Sequence, residues 1–288
     1  NGLRRSFLPS HLKPQPFEAQ VSDEDLSDFK QLLKLSKIGP KTYENRTADV
    51  KDFIHFGISR QWLSDAKQGL ESSYDWRKTE ARINSYPNFT VPIVDKNEDG
   101  HGTGFVFDIH FIALFSKKSD AAPLLLLHGW PGSFLESLGA LDVLKSKYTP
   151  ETLPFHVIVR SLPGYGYSSG PPLDRDFTTE GMALLMNKLM VGLGFGNGYI
   201  SQGGDIGSFI SRVLGVKHPE CKAVHLHLCI GQQSEMEGLA DKEKKGVERY
   251  NNFDTLGNAY ARKHGTRPST IGLVLSASPI SLLAWVGE

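Results

Sequence analysis

The sequence predicts an α/β fold with a mainly parallel sheet and helices on both faces, and three observations carry that expectation. Between residues 123 and 229, short continuous apolar runs alternate with helical stretches, as strands covered on both faces alternate with crossover helices. The run starting at Gly198 leads straight into small residues and a further helix. At 288 residues the chain is long enough to bury most of the apolar surface it would expose unfolded.

Residues 1–88 read as an N-terminal helical appendage. Ser22-Asp23-Glu24-Asp25 is a helix start signal ahead of an apolar-periodic run through Phe29, Leu32, Leu33 and Leu35. No strand alternation is visible in this segment. Trp62 and Trp76 are expected to anchor it to a larger body, because a segment of weak periodicity buries little surface alone. The core, residues 89–230, opens with two strands, Thr90 to Val94 and Gly104 to Phe115, joined by the polar loop Asp95 to Gly102, which signals a hairpin. Pro123 to Leu127 is the first doubly covered strand, followed by a loop and a helical stretch from Ser133 to Tyr148. Phe155 to Arg160, Gly198 to Ser201 and Ala223 to Cys229 continue the strands, with helices over Thr179 to Leu193 and Ile206 to Val216. Residues 231–288 break the alternation. Gln232 to Arg249 is polar, with Asp241 to Lys245 a solvated helix face, and Leu256 to Trp285 reads as helix and turn, so this excursion is expected to form a helical lid.

Composition narrows the function classes. Lys plus Arg and Asp plus Glu each number 32, so no net field attracts nucleic acid or an anionic membrane, and the expected partner is a small neutral molecule. If one strand joined Cys221 to Cys229, they would lie roughly 26 Å apart, too far to pair. With no disulfide framework, no basic-then-apolar leader and no stretch approaching a bilayer span, the chain reads as soluble and cytoplasmic. Asn45-Arg46-Thr47 and Asn88-Phe89-Thr90 fit the glycosylation pattern, but without a leader they read as chance matches.

The chemistry concentrates in two segments. Gly198 to Ser208 has the layout of a nucleophile elbow, in which a strand runs into small residues, one side chain stands at a tight turn, and a helix follows. Gly203, Gly204, Gly207 and Ser208 let the backbone turn sharply, so Asp205 projects into a pocket. A carboxylate there attacks an electrophilic carbon to form an ester, which suits epoxides or haloalkanes better than acyl transfer. An Asp that merely caps the helix is the plainer alternative. The second segment, His128-Gly129-Trp130-Pro131-Gly132, follows an apolar strand and precedes a helix. Its expected role is an oxyanion hole, with backbone N–H groups from Trp130 and from Ile206, the residue after the nucleophile. His128 and Gly129 support that loop, His128 by hydrogen bonding rather than as a base, and Pro131 fixes its turn. Gly192 to Gly198 follows a helix and precedes a strand, the reverse of a dinucleotide-binding turn, and reads as a connecting loop. His225 and His227 lack a third ligand and read as buried or hydrogen-bonded rather than as a zinc site.

On these residues the chain resembles a fungal epoxide hydrolase of the microsomal-type branch over essentially its whole length. Further marks are Ser36-Lys37-Ile38 before a Pro-containing turn, Asp75-Trp76-Arg77 followed by Glu80, Asn84 and Pro87, and the segment Ser161 to Ser169. The resemblance implies an α/β-hydrolase fold with an N-terminal meander and a helical lid. It also implies backside attack by Asp205 on a small hydrophobic epoxide, with the lid hydroxyl of Tyr260, in Asn258-Ala-Tyr-Ala-Arg262, donating to the epoxide oxygen. Neither cofactor nor metal is implied, and pairing of two copies through the lid is. A His base, oriented by an acid, then hydrolyses the ester.

The chain departs from this pattern in one respect. The second lid tyrosine, the orienting acid and the His base of the resemblance have no counterpart before Glu288, and the first residue is Asn rather than Met. The expectation is a shortened product or one part of a longer protein, able to alkylate Asp205 without completing turnover. Two rivals stand beside the hydrolase: a haloalkane dehalogenase, for which Trp rather than Ile206 would follow the nucleophile, and an inactive hydrolase-like protein that binds hydrophobic ligands.

Overall fold

The computed structural model describes residues 12–46, 56–96, 102–229 and 238–288. Contacts divide them into two units, one of residues 12–19 and 77–229, the other of residues 20–46, 56–76 and 238–288. The division cuts through the N-terminal segment: residues 77–88 and the short stretch before residue 20 pack with the sheet, whereas the helices between them pack with the C-terminal helices.

The first unit is built on a seven-stranded sheet in the order β1-β2-β3-β5-β4-β6-β7. Its strands are β1 (Gln15–Pro16), β2 (Asn88–Lys96), β3 (Gly102–Leu114), β4 (Ala122–Leu127), β5 (Phe155–Arg160), β6 (Tyr199–Gly203) and β7 (Cys221–Leu226). β5, β4, β6 and β7 run parallel, and the β2–β3 hairpin adds an antiparallel flank through the pairing of β3 with β5. The tip of that hairpin, residues 97–101, lies outside the described residues. β1 corrects the strand-free reading of the N-terminal segment: Gln15 and Pro16 pair with Thr90 and Phe89. Two residues are too few to alternate, and Pro is tolerated there because the strand is an edge.

Both faces of the sheet are covered in this unit. α5 (Thr179–Met190) and α6 (Asp205–Lys217) press Met186, Leu189, Ile210 and Leu214 onto Phe107, Phe111, Leu125 and Ile158. On the other face Ile83 of α3 (Trp76–Asn84) and Leu138 and Leu141 of α4 (Leu138–Lys147) pack with Ile112, Val157 and Val159. Fully burying each such side chain contributes roughly 1.5–3 kcal/mol, and the double coverage explains why β4 and β5 show no polar alternation. The helical stretch after residue 133 is broken, a 3₁₀ turn over Phe134–Ser137 preceding α4. The glycine-rich segment after α5 is only partly loop, because Val191–Phe195 continues as a π turn with Gly194 at φ 99°.

Three other expectations change. β7 ends at Leu226, so no strand spans the two cysteines, and Cys221 is buried while Cys229 is exposed, both free. His225 and His227 are exposed rather than buried, their rings meeting edge-on at 5.0 Å, because β7 is the outermost described strand. Asn88 is 5% exposed and donates to the carbonyls of Ile83 and Tyr86, which removes it as a glycosylation site in this fold.

The second unit is helical: α1 (Asp23–Leu35), α2 (Arg60–Ser72), α7 (Asp241–Asn252), α8 (Ala259–Thr266), α9 (Pro268–Ser276) and α10 (Pro279–Val286). Ser22 caps α1 by accepting from the Asp25 amide at 3.0 Å, with three acidic residues in the first turn, as its start signal predicts. The hydroxyls of Ser36 and Ser278 meet at 3.0 Å, and Lys67 reaches the Ser36 carbonyl. Trp62 lies against Gly287, where a methyl group would overlap its ring. α7 buries none of its residues, in keeping with its charged sequence.

Candidate active site

β6 delivers the chain to the first residue of α6 through a turn with one unusual conformation. Asp205 has φ 47°, and among the described residues no other non-glycine has positive φ. Such a backbone costs of order 1–3 kcal/mol and persists only where its surroundings hold it. The holding contacts are visible. A methyl group at Gly203 would overlap the Gly207 carbonyl group, so strand and helix approach as closely as backbone allows. Ser208 donates its hydroxyl to the Gly203 carbonyl at 2.8 Å and accepts from the Leu228 amide at 3.1 Å, tying the elbow to the end of β7. The His227 amide adds a bond to the Gly203 carbonyl at 3.0 Å.

At this turn the Asp205 carboxylate faces the loop that follows β4. The Trp130 amide donates to Asp205 Oδ1 at 2.8 Å. The carboxylate lies over the α-carbon of Gly129, where a methyl group would overlap it. Asp205 also stands at the N-terminus of α6, where free amides and the helix dipole favour negative charge. Trp130 and Asp205, predicted separately from two segments, are therefore in direct contact. Ile206 follows Asp205 in the first turn and packs on the main core, and the Trp130–Pro131 peptide is cis.

His128 is buried and fully engaged. Its Nε2 accepts from the Leu162 amide at 3.1 Å, and its Nδ1 lies 3.1 Å from the Gly129 carbonyl, so the neutral ring carries its proton on Nδ1. Burial, together with the charge of Arg160, lowers its pKa to about 4. A ring with both nitrogens committed and no charge at neutral pH joins the loop after β4 to the loop after β5.

Three groups around this site escaped the sequence reading. Tyr165, half-buried, meets the His128 ring edge-on at 5.1 Å, and burial and the charge of Asp205 raise its pKa. Glu136, on the 3₁₀ turn, is raised by burial and then by Asp205, against a hydrogen bond from the Ser133 amide. The spacing Ser133-x-x-Glu136 is a capping-box signal that could have singled it out. Arg160, the last residue of β5, is completely buried, and none of its three guanidinium nitrogens has a hydrogen-bond partner among the described residues. Its place in an apolar strand gave no hint of that.

Tyr260 belongs to the second unit, on α8, where its ring meets His264 edge-on at 5.9 Å. The Trp285 indole N–H in turn donates to His264 Nε2 at 2.9 Å, linking α8 to α10. Among the described residues no group of three or more His, Cys, Asp or Glu could hold a metal ion, and no helix is long and apolar enough to cross a membrane.

Residues 14–137 match the family described as "Epoxide hydrolase N terminus", and residues 122–260 match "alpha/beta hydrolase fold". The solved structure of an Aspergillus niger epoxide hydrolase is 51% identical and superposes with a TM-score of 0.87, covering 97% of this chain and 70% of its own. A juvenile hormone epoxide hydrolase of the silkworm Bombyx mori is 25% identical, with a TM-score of 0.72 over 96% of this chain and 63% of its own. A Dothistroma septosporum protein, provisionally named an epoxide hydrolase, is 45% identical over 287 residues, and the chain spans 66% of its length. An elbow that presents a carboxylate to a main-chain amide, carried on a fold shared at half identity with a solved member, settles the kinship: the chain belongs to the epoxide hydrolase family of the α/β-hydrolase fold.

Proposed function

We propose that this protein opens small hydrophobic epoxides to vicinal diols, with Asp205 as the covalent nucleophile. The observation that carries the reading is the 2.8 Å hydrogen bond from the Trp130 amide to one oxygen of a carboxylate held at φ 47°. That bond divides the work between the two oxygens. Oδ1 is fixed by the amide, leaving the other oxygen to attack the epoxide carbon from behind as the C–O bond breaks. In the resulting ester Oδ1 is the carbonyl oxygen. When water adds to it, the developing oxyanion already faces the Trp130 amide, and the Ile206 amide at the start of α6 is the second donor. Removing one donor of such a pair typically costs about 10²–10³ in rate. By the family resemblance, the hydroxyl of Tyr260 is the candidate donor to the epoxide oxygen that steadies the alkoxide. His128 and Pro131 act only through the loop they brace.

Ester hydrolysis also needs a general base, so the test follows the ester itself. Purified protein is mixed with an aryl epoxide and its intact mass is read. Wild type should gain the mass of one epoxide, or release diol, while Asp205→Asn should do neither. Diol or adduct formed equally well by Asp205→Asn removes Asp205 from the chemistry. Halide release from an alkyl halide without reaction of the epoxide would replace the hydrolase reading with a dehalogenase, and no reaction with either points to ligand binding alone.

A further inference from the structure

Tyr260 stands on a helix that does little to hold itself. α8 has eight residues, no side-chain cap at its N-terminus and no buried residue, and a helix that short is marginal in water. Its ion pair, Arg262 to Asp254 at 2.9 Å, ties it to the turn just before it. α10 is better seated: it buries Ile280 and packs against α1, α2 and α9. Between the two helices run His264 and Trp285. The Trp285 indole N–H donates to His264 Nε2 at 2.9 Å, and the two ring planes are 21° apart with centroids at 5.8 Å. That is the geometry of two rings joined edge to edge by an in-plane hydrogen bond.

We propose that His264 is a positioning residue for Tyr260: anchored by Trp285, it holds the phenol whose hydroxyl serves the epoxide oxygen. The inference rests on the reading of Tyr260 as the lid donor. Tyr260 and His264 are one turn apart on α8, and helical side chains lean toward the N-terminus, so the imidazole comes down on the phenol. The rings meet edge-on at 5.9 Å and 80°. An indole N–H only donates, so His264 Nε2 carries the lone pair, and the neutral ring keeps its proton on Nδ1. Trp285 thereby fixes both the plane and the tautomer of the ring against which Tyr260 rests.

The reaction gives that restraint a purpose. When Asp205 bonds to the epoxide carbon and the ring C–O bond breaks, the electron pair goes to the ring oxygen. A hydroxyl already oriented meets that charge without further loss of freedom, whereas a phenol that still rotates must first be arrested. A hydrogen bond that is strongest at the moment of ring opening speeds that step without tightening the binding of the intact epoxide. Loss of the support at His264 therefore belongs in the rate of alkylation rather than in affinity.

The test is a double-mutant cycle on the full chain. Protein is mixed with an aryl epoxide at several concentrations, and adduct plus diol formed in a single turnover give the saturating rate and the half-saturating concentration separately. Tyr260→Phe should lower the saturating rate about 100-fold. His264→Ala and Trp285→Phe should each lower it about 10-fold, a partial displacement of the hydroxyl, with half-saturation within about twofold of wild type. In a Tyr260→Phe background, adding His264→Ala should change the rate by less than about twofold, since no hydroxyl is left to place. A loss that persists there is structural and overturns the proposal, as does His264→Ala at the wild-type rate. Should His264→Ala fail to fold, Trp285→Phe in the same cycle decides. Tyr260→Phe at the wild-type rate removes Tyr260 from the reaction and takes the proposal with it. If wild type forms neither adduct nor diol, the nucleophile reading fails and NMR of ¹³C-labelled tyrosine decides the support. Trp285→Phe should then move the Tyr260 ring resonances, and resonances that stay put overturn it.

Discussion

Replacing Arg160 by Met should make the protein more stable. The side chain ends β5 beneath the His128 loop with no exposed surface, and no acceptor among the described residues reaches its guanidinium. Burial alone pushes its pKa from the ordinary guanidinium range down to about 9. At roughly 1.4 kcal/mol per unit, that displacement is a penalty of about 5 kcal/mol on the charged form at neutral pH. Replacing buried ions by apolar side chains of similar volume typically gains about 1–4 kcal/mol, so the expected gain in unfolding free energy lies in that range, with 5 as its ceiling. The pH dependence carries the sign. The folded group gives up its proton near pH 9 and the unfolded one at far higher pH, so above about pH 9 the unfolded chain binds more protons and this group's penalty shrinks as pH rises. Urea unfolding followed by tryptophan fluorescence at pH 7 and at pH 10 measures both effects. The advantage of Arg160→Met should be largest at pH 7 and smaller at pH 10. A variant no more stable than wild type at pH 7 would refute the reasoning, showing that the guanidinium is satisfied in solution.

Other outcomes follow from the same geometry. Gly203→Ala forces a methyl group onto the Gly207 carbonyl group; denaturation should show a loss of about 1–3 kcal/mol, and epoxide alkylation should fall about 100-fold as Asp205 is displaced. His128→Ala leaves the buried Leu162 amide without its acceptor and should cost about 1–3 kcal/mol, whereas a change in the pH optimum of alkylation would mean His128 takes part in proton transfer. Burial lowers His110 to about 3, and burial with Arg160 lowers His128 to about 4. Both are neutral when folded and ordinary when unfolded, so stability is full above about pH 6.5 and is lost as pH falls toward those values, by up to about 1.4 kcal/mol per pH unit for each ring. Urea midpoints that stay flat between pH 7 and pH 4.5 would contradict this.

The doubly covered strands were legible because burial on both faces leaves unbroken apolar runs, as in Leu124 to Leu127 and Val157 to Val159. The elbow was legible because only small residues let β6 and α6 come so close, and that demand is written at Gly203 and Gly207. β1 was not: two edge residues carry no period. The exposure of His225 and His227 was missed because alternation tells which residues share a face, not whether anything covers it. Arg160 shows the same limit from the other side. A charged residue at the end of an apolar run reads as a strand terminus reaching for water, and only its pairing with buried Phe111 on β3 and its own complete burial show that water is excluded. Tyr165 was hidden because its relation to Asp205 is across the fold, and the Ser133-x-x-Glu136 spacing marks Glu136 as a helix cap while recording nothing of Asp205.

The backbone turn at Asp205 is fastened through main chain and the Ser208 hydroxyl, while the carboxylate oxygen accepts from the Trp130 amide. Shape and reactivity are therefore separable at this position. A side chain of similar size that tolerates a left-handed backbone, Asn above all, should inherit the same perch and the same neighbouring amide while losing the ability to attack carbon. The scaffold offers a mounting point whose geometry is indifferent to its cargo, so exchanging that one group is the economical way for such a protein to move between catalysis and mere recognition of the same small molecule.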